Sequence, residues 1–139
     1  MSNLLVQPYL VFAGCCEEAL EFYRTALGAH VEFLLRYKDS PEPLPPGLVP
    51  PGFENKVFHA TFRIGATTLM AADASDTGLS FNGFLLSVVL PTAAEADRAF
   101  AALSTGGRVK MPLTKTFWSP RYGVLTDRFG LGWKISVEA

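Results

Sequence analysis

His59 has the side chain best suited to acid–base chemistry in this sequence. The chain of 139 residues contains two histidines, and His59 lies in the middle of a predicted strand, whereas His30 lies at the start of one. An imidazole changes charge near neutral pH, so His59 could act as a general base or donate a hydrogen bond to a ligand. The alternative is a histidine that is satisfied within the sheet. Alternation groups it with Thr61 and Arg63, opposite Phe58, Phe62 and Ile64.

A second group of chemically useful side chains lies in residues 115–122. The segment combines three aromatic rings with two cations, and its members include Trp118, Arg121 and Tyr122. Aromatic rings offer stacking surface and cations recognise anions, so the segment predicts a ligand-binding loop. Two alternatives stay open. Trp118 could plug the core, and Arg121 could pair with Asp127 or Asp73 instead of a ligand.

The adjacent cysteines Cys15 and Cys16 stand at the start of a predicted helix. A thiol at a helix N-terminus can have a lowered pKa and act as a nucleophile. The alternative is that two small side chains pack where the helix begins. Adjacent cysteines rarely close an unstrained disulfide, so both are expected to be free thiols in a reducing cytoplasm. The sequence shows no Ser–His–Asp motif, zinc-ligand spacing or phosphate loop.

The composition limits the classes of protein that can present these side chains. Lys and Arg number 12 against 13 Asp and Glu, and 49% of the residues are hydrophobic while 18% are charged. This apolar content excludes intrinsic disorder, and the net charge of −1 argues against a nucleic-acid partner. The longest apolar run, residues 84–90, is too short to span a membrane. Without a secretory signal pattern, the sequence predicts a cytoplasmic protein of one domain.

Hydrophobic periodicity divides the first half of the chain into a strand, a helix and three further strands. The strands are predicted over residues 4–12, 29–37, 57–64 and 67–72. Glu17 and Glu18 suit the first turn of the helix, and Gly28 suits its end. Residues 39–55 contain six of the ten prolines, all between positions 41 and 51, which predicts a long stiff loop. A proline-rich ligand for another protein is the alternative interpretation.

The second half repeats this order of elements. Its strands are predicted over residues 84–90, 108–113, 122–127 and 133–137. Thr92 followed by Glu95 is the signature of a capped helix, which Gly106 and Gly107 end. The chain therefore contains a strand, a helix and three strands twice, at a period of about 75–80 residues.

Several short segments, in their order and spacing, resemble a known family. They are residues 8–12, 18–23, 27–29, 69–73, 95–100, 106–107, 111–113, Trp118, 122–123, 126–130 and Trp133. The resemblance is to the vicinal oxygen chelate superfamily, which includes glyoxalase I, extradiol dioxygenases and the bleomycin- and fosfomycin-resistance proteins, and within it to the PhnB-like branch. It implies a single α+β domain over residues 1–139. Two βαβββ modules, residues 1–75 and 82–139, would form a curled, half-open mixed β-sheet barrel.

The same resemblance implies a small-molecule cavity inside the barrel and a homodimer. In the family, the loop that corresponds to residues 115–122 lies at the mouth of the cavity. Tyr9, Phe12, Phe62 and Phe84 are the candidates for its wall, with core packing as the alternative for each. The predicted ligand-binding set is therefore Tyr9, Phe12, His59, Phe62, Phe84, Trp118, Arg121 and Tyr122.

Metal-using relatives hold a divalent ion on four ligands, one each from the first, fourth, fifth and eighth strands. The first position falls on Gln7, whose side-chain carbonyl can bind a hard cation. The others fall within residues 70–72, on or near Phe84, and near Ser136, with Glu138 two residues beyond on the same face. A stable site needs several suitable ligands, so no native catalytic metal is expected. Gln7 is the candidate ligand if a divalent metal binds.

Two functions fit this pattern. The first is a small-molecule-binding protein of the glyoxalase/bleomycin-resistance type, without a native catalytic metal. The second is a metal-dependent lyase, isomerase or dioxygenase acting on a small oxygenated substrate, with His59 as candidate catalytic residue or a ligand set such as Gln7, His59 and Asp73. The sequence leaves open whether the protein is an enzyme. The expected partners are a small-molecule ligand and a second copy of the chain, with neither nucleic acid nor membrane.

Overall fold

The computed structural model describes residues 3–45, 47–76 and 78–138 of the 139-residue chain. Pro46, one of the six prolines of the predicted loop, lies outside the described residues, as do residues 1–2 and 139 of the predicted modules. The chain divides into two compact units, residues 1–79 and 80–139. No helix among the described residues is long and apolar enough to cross a membrane.

The first unit contains a helix and a four-stranded mixed sheet. Its elements are β1 (Tyr9–Phe12), α1 (Cys16–Leu27), β2 (His30–Arg36), a short 3₁₀ turn (Tyr37–Asp39), β3 (Val57–Ile64) and β4 (Thr67–Asp73). The strand order is β1-β4-β3-β2, with β1 parallel to β4 and the other neighbours antiparallel. Because parallel neighbours cannot be joined by a tight turn, the chain between β1 and β4 runs through α1, β2 and β3.

Helix α1 packs on one face of this sheet, and Asp73 fixes where the helix begins. The buried side chains of α1 and the strands include Ala19, Leu20, Tyr23, Leu10, Phe12, Ala60, Phe62 and Ala71. The buried Asp73 carboxylate accepts hydrogen bonds from the backbone amides of Cys16 (2.8 Å) and Val57 (3.0 Å). It thereby satisfies an N–H group of the first helical turn. Gly28, at φ +71°, ends the helix in the left-handed conformation that glycine favours.

The second unit repeats this arrangement. Its elements are β5 (Leu86–Leu90), α2 (Ala93–Ser104), β6 (Arg108–Thr114), β7 (Tyr122–Thr126) and β8 (Gly132–Val137). The strand order is β5-β8-β7-β6, with β5 parallel to β8. The Thr92 side chain accepts a hydrogen bond from the Glu95 amide (3.1 Å), so the predicted N-cap of α2 is confirmed.

Helix α2 packs closely on one face of the second sheet. The buried side chains are Ala96, Ala99, Phe100 and Leu103 of the helix and Leu125, Trp133, Ile135 and Val137 of the strands. A Cβ atom at Gly123 would lie 2.7 Å from the Phe100 ring, so the absence of a side chain there allows the helix to approach β7.

The predicted α+β class and the two βαβββ modules are confirmed, and both sheets are mixed and unclosed. The first strand is shorter than predicted because pairing with β4 begins at Tyr9. Leu4, Leu5 and Val6, which the apolar pattern assigned to that strand, are exposed and precede it. Residues 40–45 and 47–56 contain neither helix nor strand, as the prolines predict.

Candidate functional site

The face of the second sheet opposite α2, called the open face below, is defined by the alternation along β8. Trp133, Ile135 and Val137 are buried on the α2 side. Lys134 and Ser136 therefore lie on the open face. The register places Lys134 between Ser87 of β5 and Val124 of β7. Since β8 is flanked by strands on both sides, a cation stands near the centre of this sheet.

A cleft of about 500 Å³ lies on this open face. Its lining residues, which define the aromatic cleft, are Val89, Trp118, Ser119, Tyr122, Lys134, Ser136, Val137 and Glu138. The rings of Trp118 and Tyr122 meet edge-on, with centroids 5.3 Å apart. Lys134 Nζ lies 5.8 Å from the centroid of the Tyr122 ring, within range of a cation–π contact. Trp118 is 48% exposed, so it is a partly open wall of the cleft and does not plug a core.

Ser119 holds the loop that carries Trp118. Its buried hydroxyl lies within hydrogen-bond distance of the carbonyls of Arg121 and Val137 and accepts from the Val137 amide at 3.3 Å. The Ser119 amide donates to the Thr116 hydroxyl at 3.1 Å, and the Thr116 amide donates to the Ser119 carbonyl at 2.9 Å. These bonds tie the loop to the end of β8, so the position of the aromatic wall is fixed by the fold.

The Arg121 side chain points away from the aromatic cleft. Its Nε donates to Asp97 of α2 at 3.2 Å, and its Nη1 donates to the Pro120 carbonyl at 3.2 Å. Asp127 and Asp73, the two acids that the sequence suggested as partners of Arg121, are therefore wrong, and the partner is Asp97. Asp127 accepts from backbone amides in its turn, as its position predicts, and Arg121 does not line the cleft.

His59 lies on the face of the first sheet opposite α1, between two aromatic rings. Its ring centroid is 6.0 Å from that of Tyr9 and 6.3 Å from that of Phe33. The Thr61 hydroxyl is 3.5 Å from His59 Nε2, the outer limit of a hydrogen bond. Tyr9 and Phe33 are both half-exposed. The first unit thus presents an imidazole in an aromatic setting.

A second cleft, of about 420 Å³, lies beside Tyr9 in the first unit. Phe58 lines it, although alternation predicts Phe58 on the opposite face from His59. The β2–β3 register pairs Leu35 with His59 and Arg36 with Val57, which leaves Phe58 as the extra residue of a β-bulge. A bulge shifts the alternation by one residue, so Phe58 joins the Tyr9 side of the sheet.

The remaining predicted ligand-binding residues lie elsewhere. Phe12 and Phe62 are 2% and 0% exposed and pack in the core beneath α1. Core packing was the alternative to a cavity wall for both residues. Phe84 is half-exposed and precedes β5, with its ring centroid 6.4 Å from that of Phe81. Both rings line a third cleft, of about 470 Å³, together with Arg108 and other residues of the second unit.

The donor atoms at the predicted metal positions do not suit a divalent ion. Gln7 precedes β1, and the neighbouring β1 and β4 positions hold Tyr9 beside Met70. In the second unit, Ser136 lies beside Val89 and two residues from Lys134. Among the described residues, no three or more His, Cys, Asp or Glu side chains are grouped to hold a metal. Ring carbons, a thioether and an ammonium do not form the oxygen-rich set that hard cations need.

The alternative ligand set of Gln7, His59 and Asp73 is also not assembled. The Asp73 carboxylate is buried and is occupied by the amides of Cys16 and Val57, on the α1 side of the sheet. His59 faces the opposite side, toward Tyr9. The two side chains are therefore separated by the sheet.

The two cysteines do not have the environment of activated nucleophiles. Burial, followed by the negative charge of Asp73, raises the pKa of the fully buried Cys16 thiol far above its ordinary value. Burial and the Asp73 charge also raise the pKa of Cys15. Both thiols are free, and a raised pKa keeps them protonated at neutral pH, so the packing interpretation is the one that the structure supports.

Lys134 is the site residue that the sequence analysis did not identify. Its signal is present in the segment 133–137, where a cation and a serine alternate with three apolar residues. Once the apolar residues are assigned to α2, the cation must face the open side. The sequence does not show that β8 is a central strand of its sheet. On an edge strand the same lysine would reach water and would not indicate a site.

Comparisons with known proteins agree with this fold. Residues 5–135 match the model of the Glyoxalase/Bleomycin resistance protein/Dioxygenase superfamily. Protein YjdN of Escherichia coli strain K12 is 34% identical over 95% of this chain and 94% of its own length. The crystal structure of PA1353 from Pseudomonas aeruginosa is 38% identical with a TM-score of 0.84, over 98% of both chains. A PhnB protein from Bacillus cereus is 28% identical with a TM-score of 0.81, over 96% of this chain and 99% of its own.

Proposed function

This chain belongs to the Glyoxalase/Bleomycin resistance protein/Dioxygenase superfamily, and we propose that within it the chain is a small-molecule-binding protein that works without a native catalytic metal. The observation that supports this most is the aromatic cleft of the second unit. Its volume of about 500 Å³ lies within the range of small-molecule sites. Its aromatic wall is held by the Ser119 hydrogen bonds.

Trp118 and Tyr122 are the proposed ligand contacts in this cleft. A tryptophan ring that is partly exposed beside a second ring offers a flat apolar surface whose burial by a ligand is favourable. On the first unit, Tyr9 and His59 are the corresponding proposed contacts, and any proton transfer there is assigned to His59.

The metal-dependent alternative is not supported by the donor chemistry. The predicted fifth-strand ligand position, Phe84, precedes β5, and on the open face Ser136 of β8 lies beside Val89 of β5, with Lys134 two residues away. A divalent ion in that position would be repelled by the ammonium group, and Glu138 is the one carboxylate among the residues that line the cleft, fewer than the several oxygen ligands that a divalent ion needs. We therefore propose binding and sequestration rather than metal-assisted turnover.

Two further properties that we propose are the oligomeric state and the cellular compartment. The two free cysteines suit a reducing compartment, which supports a cytoplasmic protein. Leu4, Leu5, Val6 and Phe117 are strongly exposed apolar residues, and Phe117 is 96% exposed. Association of two copies would bury such side chains, so we propose a homodimer. Sedimentation equilibrium tests this, and a monomer throughout the micromolar range would contradict it.

Binding of a neutral fluorescent probe tests the proposed function. N-phenyl-1-naphthylamine should bind with increased emission, and Trp118→Ala should weaken its affinity about tenfold, since an aromatic pair contributes about 0.5–1.5 kcal/mol beyond the area that it buries. Val109→Ala is the matched control, because Val109 is an exposed apolar residue of the same unit that does not line the cleft. Equal affinities of wild type and Trp118→Ala would contradict the assignment of the cleft.

A further inference from the structure

We propose that the ligand of the aromatic cleft is an organic anion with a flat aromatic body, and that Lys134 binds its anionic group. This inference rests on the proposed function and adds the chemical class of the ligand. The shared chemistry is a carboxylate, sulfonate or phosphonate attached to an aromatic ring. The ring would lie against Trp118 and Tyr122, and the oxygens would lie at Lys134 Nζ.

The first argument is the position of Lys134. It lies on the central strand β8, on the open face, and is half-buried. Its register neighbours are Ser87 and Val124, neither of which carries charge. A ligand that covers this face would take the ammonium group further out of water, which costs free energy unless a negative charge on the ligand compensates it.

The second argument is the lack of such compensation within the described residues. No carboxylate of residues 3–45, 47–76 or 78–138 lies within 4.0 Å of Lys134 Nζ, which lies 5.8 Å from the centroid of the Tyr122 ring. Glu138 lines the same cleft and is exposed, but it forms no ion pair with this lysine. A cation–π contact compensates less than an ion pair does, so the ammonium group retains its capacity for an anion.

The third argument is the charge distribution of the second unit. Residues 80–139 contain seven Lys or Arg against four Asp or Glu, whereas residues 1–79 contain five against nine. Two of the four acids of the second unit are already engaged: Asp97 pairs with Arg121, and Asp127 accepts three hydrogen bonds inside the turn. The second unit therefore carries three more basic than acidic residues, which favours the approach of an anion to it, and Glu138 is the acid among the residues that line the cleft.

The fourth argument is the combination of groups in one cleft. Trp118 and Tyr122 provide the aromatic wall, Lys134 provides the charge, and Ser136 provides a hydroxyl on the same strand face. An ammonium group next to a ring suits a ligand whose acid group is attached to its own ring. A neutral apolar ligand would leave Lys134 uncompensated, and a cationic ligand would be repelled.

Calorimetric titration with matched probes tests the inference. The probes are 2-naphthoate, neutral 2-naphthalenemethanol and cationic 2-naphthylmethylammonium, at low ionic strength. We expect 2-naphthoate to bind about tenfold more tightly than the alcohol, as a charge-assisted contact predicts, and the cation to bind most weakly. Lys134→Met should abolish this preference, so that the acid and the alcohol bind the variant equally. Lys110→Met is the matched control, because Lys110 belongs to a different cleft of the same unit.

The outcomes separate the two proposals. If the acid and the alcohol bind equally to the wild type, or if the preference survives Lys134→Met, the anion inference is wrong while the binding function stands. If none of the three naphthalene probes nor N-phenyl-1-naphthylamine binds, the proposed function fails and the inference with it. Thermal denaturation gives an independent readout. Lys134→Met should have a Tm close to that of the wild type, because it breaks no ion pair of the described residues, and a large loss would contradict the assignment of Lys134 to ligand binding rather than to the fold.

Discussion

Replacement of Asp127 should strongly destabilise the second unit. Its carboxylate is 3% exposed and accepts three hydrogen bonds in the turn between β7 and β8. One oxygen accepts the backbone amides of Phe129 (2.8 Å) and Leu131 (3.1 Å). The other accepts the indole N–H of Trp133 at 2.9 Å.

The size of the effect follows from the donors that the substitution leaves behind. Asp127→Ala removes the acceptor of three bonds, and the Trp133 indole is too deeply buried to bind water instead. A hydrogen bond to a charged group contributes about 1.5–3 kcal/mol, and such contributions are less than additive, so we expect a loss of about 3–5 kcal/mol. In a chain of this size, that corresponds to a decrease in Tm of roughly 10–15 °C.

Asp127→Asn separates the hydrogen bonds from the shape of the side chain. The amide is isosteric with the carboxylate, but in either orientation its NH₂ group must face N–H donors: the indole in one orientation, two backbone amides in the other. We expect a loss of about 1–3 kcal/mol, smaller than for alanine. If Trp133 is first changed to Phe, the indole donor is gone, and the cost of Asp127→Asn should decrease.

Urea denaturation followed by circular dichroism measures these free energies of unfolding, and the four proteins of the cycle are the wild type, Asp127→Asn, Trp133→Phe and the double variant. Two results would refute the reasoning. One is a loss below about 1 kcal/mol for Asp127→Ala, which would mean that water replaces the carboxylate. The other is an unchanged cost of Asp127→Asn in the Trp133→Phe background, which would mean that the indole bond contributes nothing.

Three further predictions concern other parts of the protein. Ellman's reagent at pH 8 should label Cys16 only after unfolding and Cys15 more slowly than a free thiol, because the pKa of both is raised; fast labelling of the native protein would contradict this. The raised pKa of both thiols also means that stability is retained below the ordinary thiol value of 9.0 and lost as the pH rises above it, which denaturation at pH 7 and pH 10 measures. Gly123→Ala should cost about 1–3 kcal/mol, because the new methyl group would lie 2.7 Å from the Phe100 ring; the additional substitution Phe100→Leu should recover part of this loss.

The elements of the fold were predictable from the sequence because local and tertiary preferences agree in most of them. Strand β3 was predicted at its observed bounds, and both helices were located by their apolar stripes and end signals, such as Gly28 and Thr92. The first strand was predicted too long. Leu4, Leu5 and Val6 are apolar but have no strand to pair with, and an apolar pattern contains no information about pairing.

The candidate site was less predictable because its residues depend on which face each side chain occupies. Phe58 was assigned to the wrong face because the β-bulge beside it shifts the alternation by one residue. Arg121 was expected to bind a ligand, Asp127 or Asp73, but its acidic partner is Asp97, one helix away in the same unit. The sequence spacing could not predict this pairing across 24 residues, because several other acids were equally plausible partners of Arg121.

On the open face, Lys134 lies close to a position at which the resemblance predicts a metal ligand. The eighth-strand position at which metal-using relatives are expected to carry Glu falls near Ser136, two residues from Lys134 on the same face of β8. Residues two apart on a strand face are about 7 Å apart, so a carboxylate there would be drawn toward the ammonium group and lose part of its charge for a metal. Restoring the acid by Ser136→Glu would therefore create a partner for Lys134 before it created a metal site. A metal near Ser136 would require both Ser136→Glu and Lys134→Met, together with further donors that the neighbouring Val89 does not supply. Lys134→Met, which removes the proposed anion contact, is thus also the change that binding of a cation near Ser136 would need.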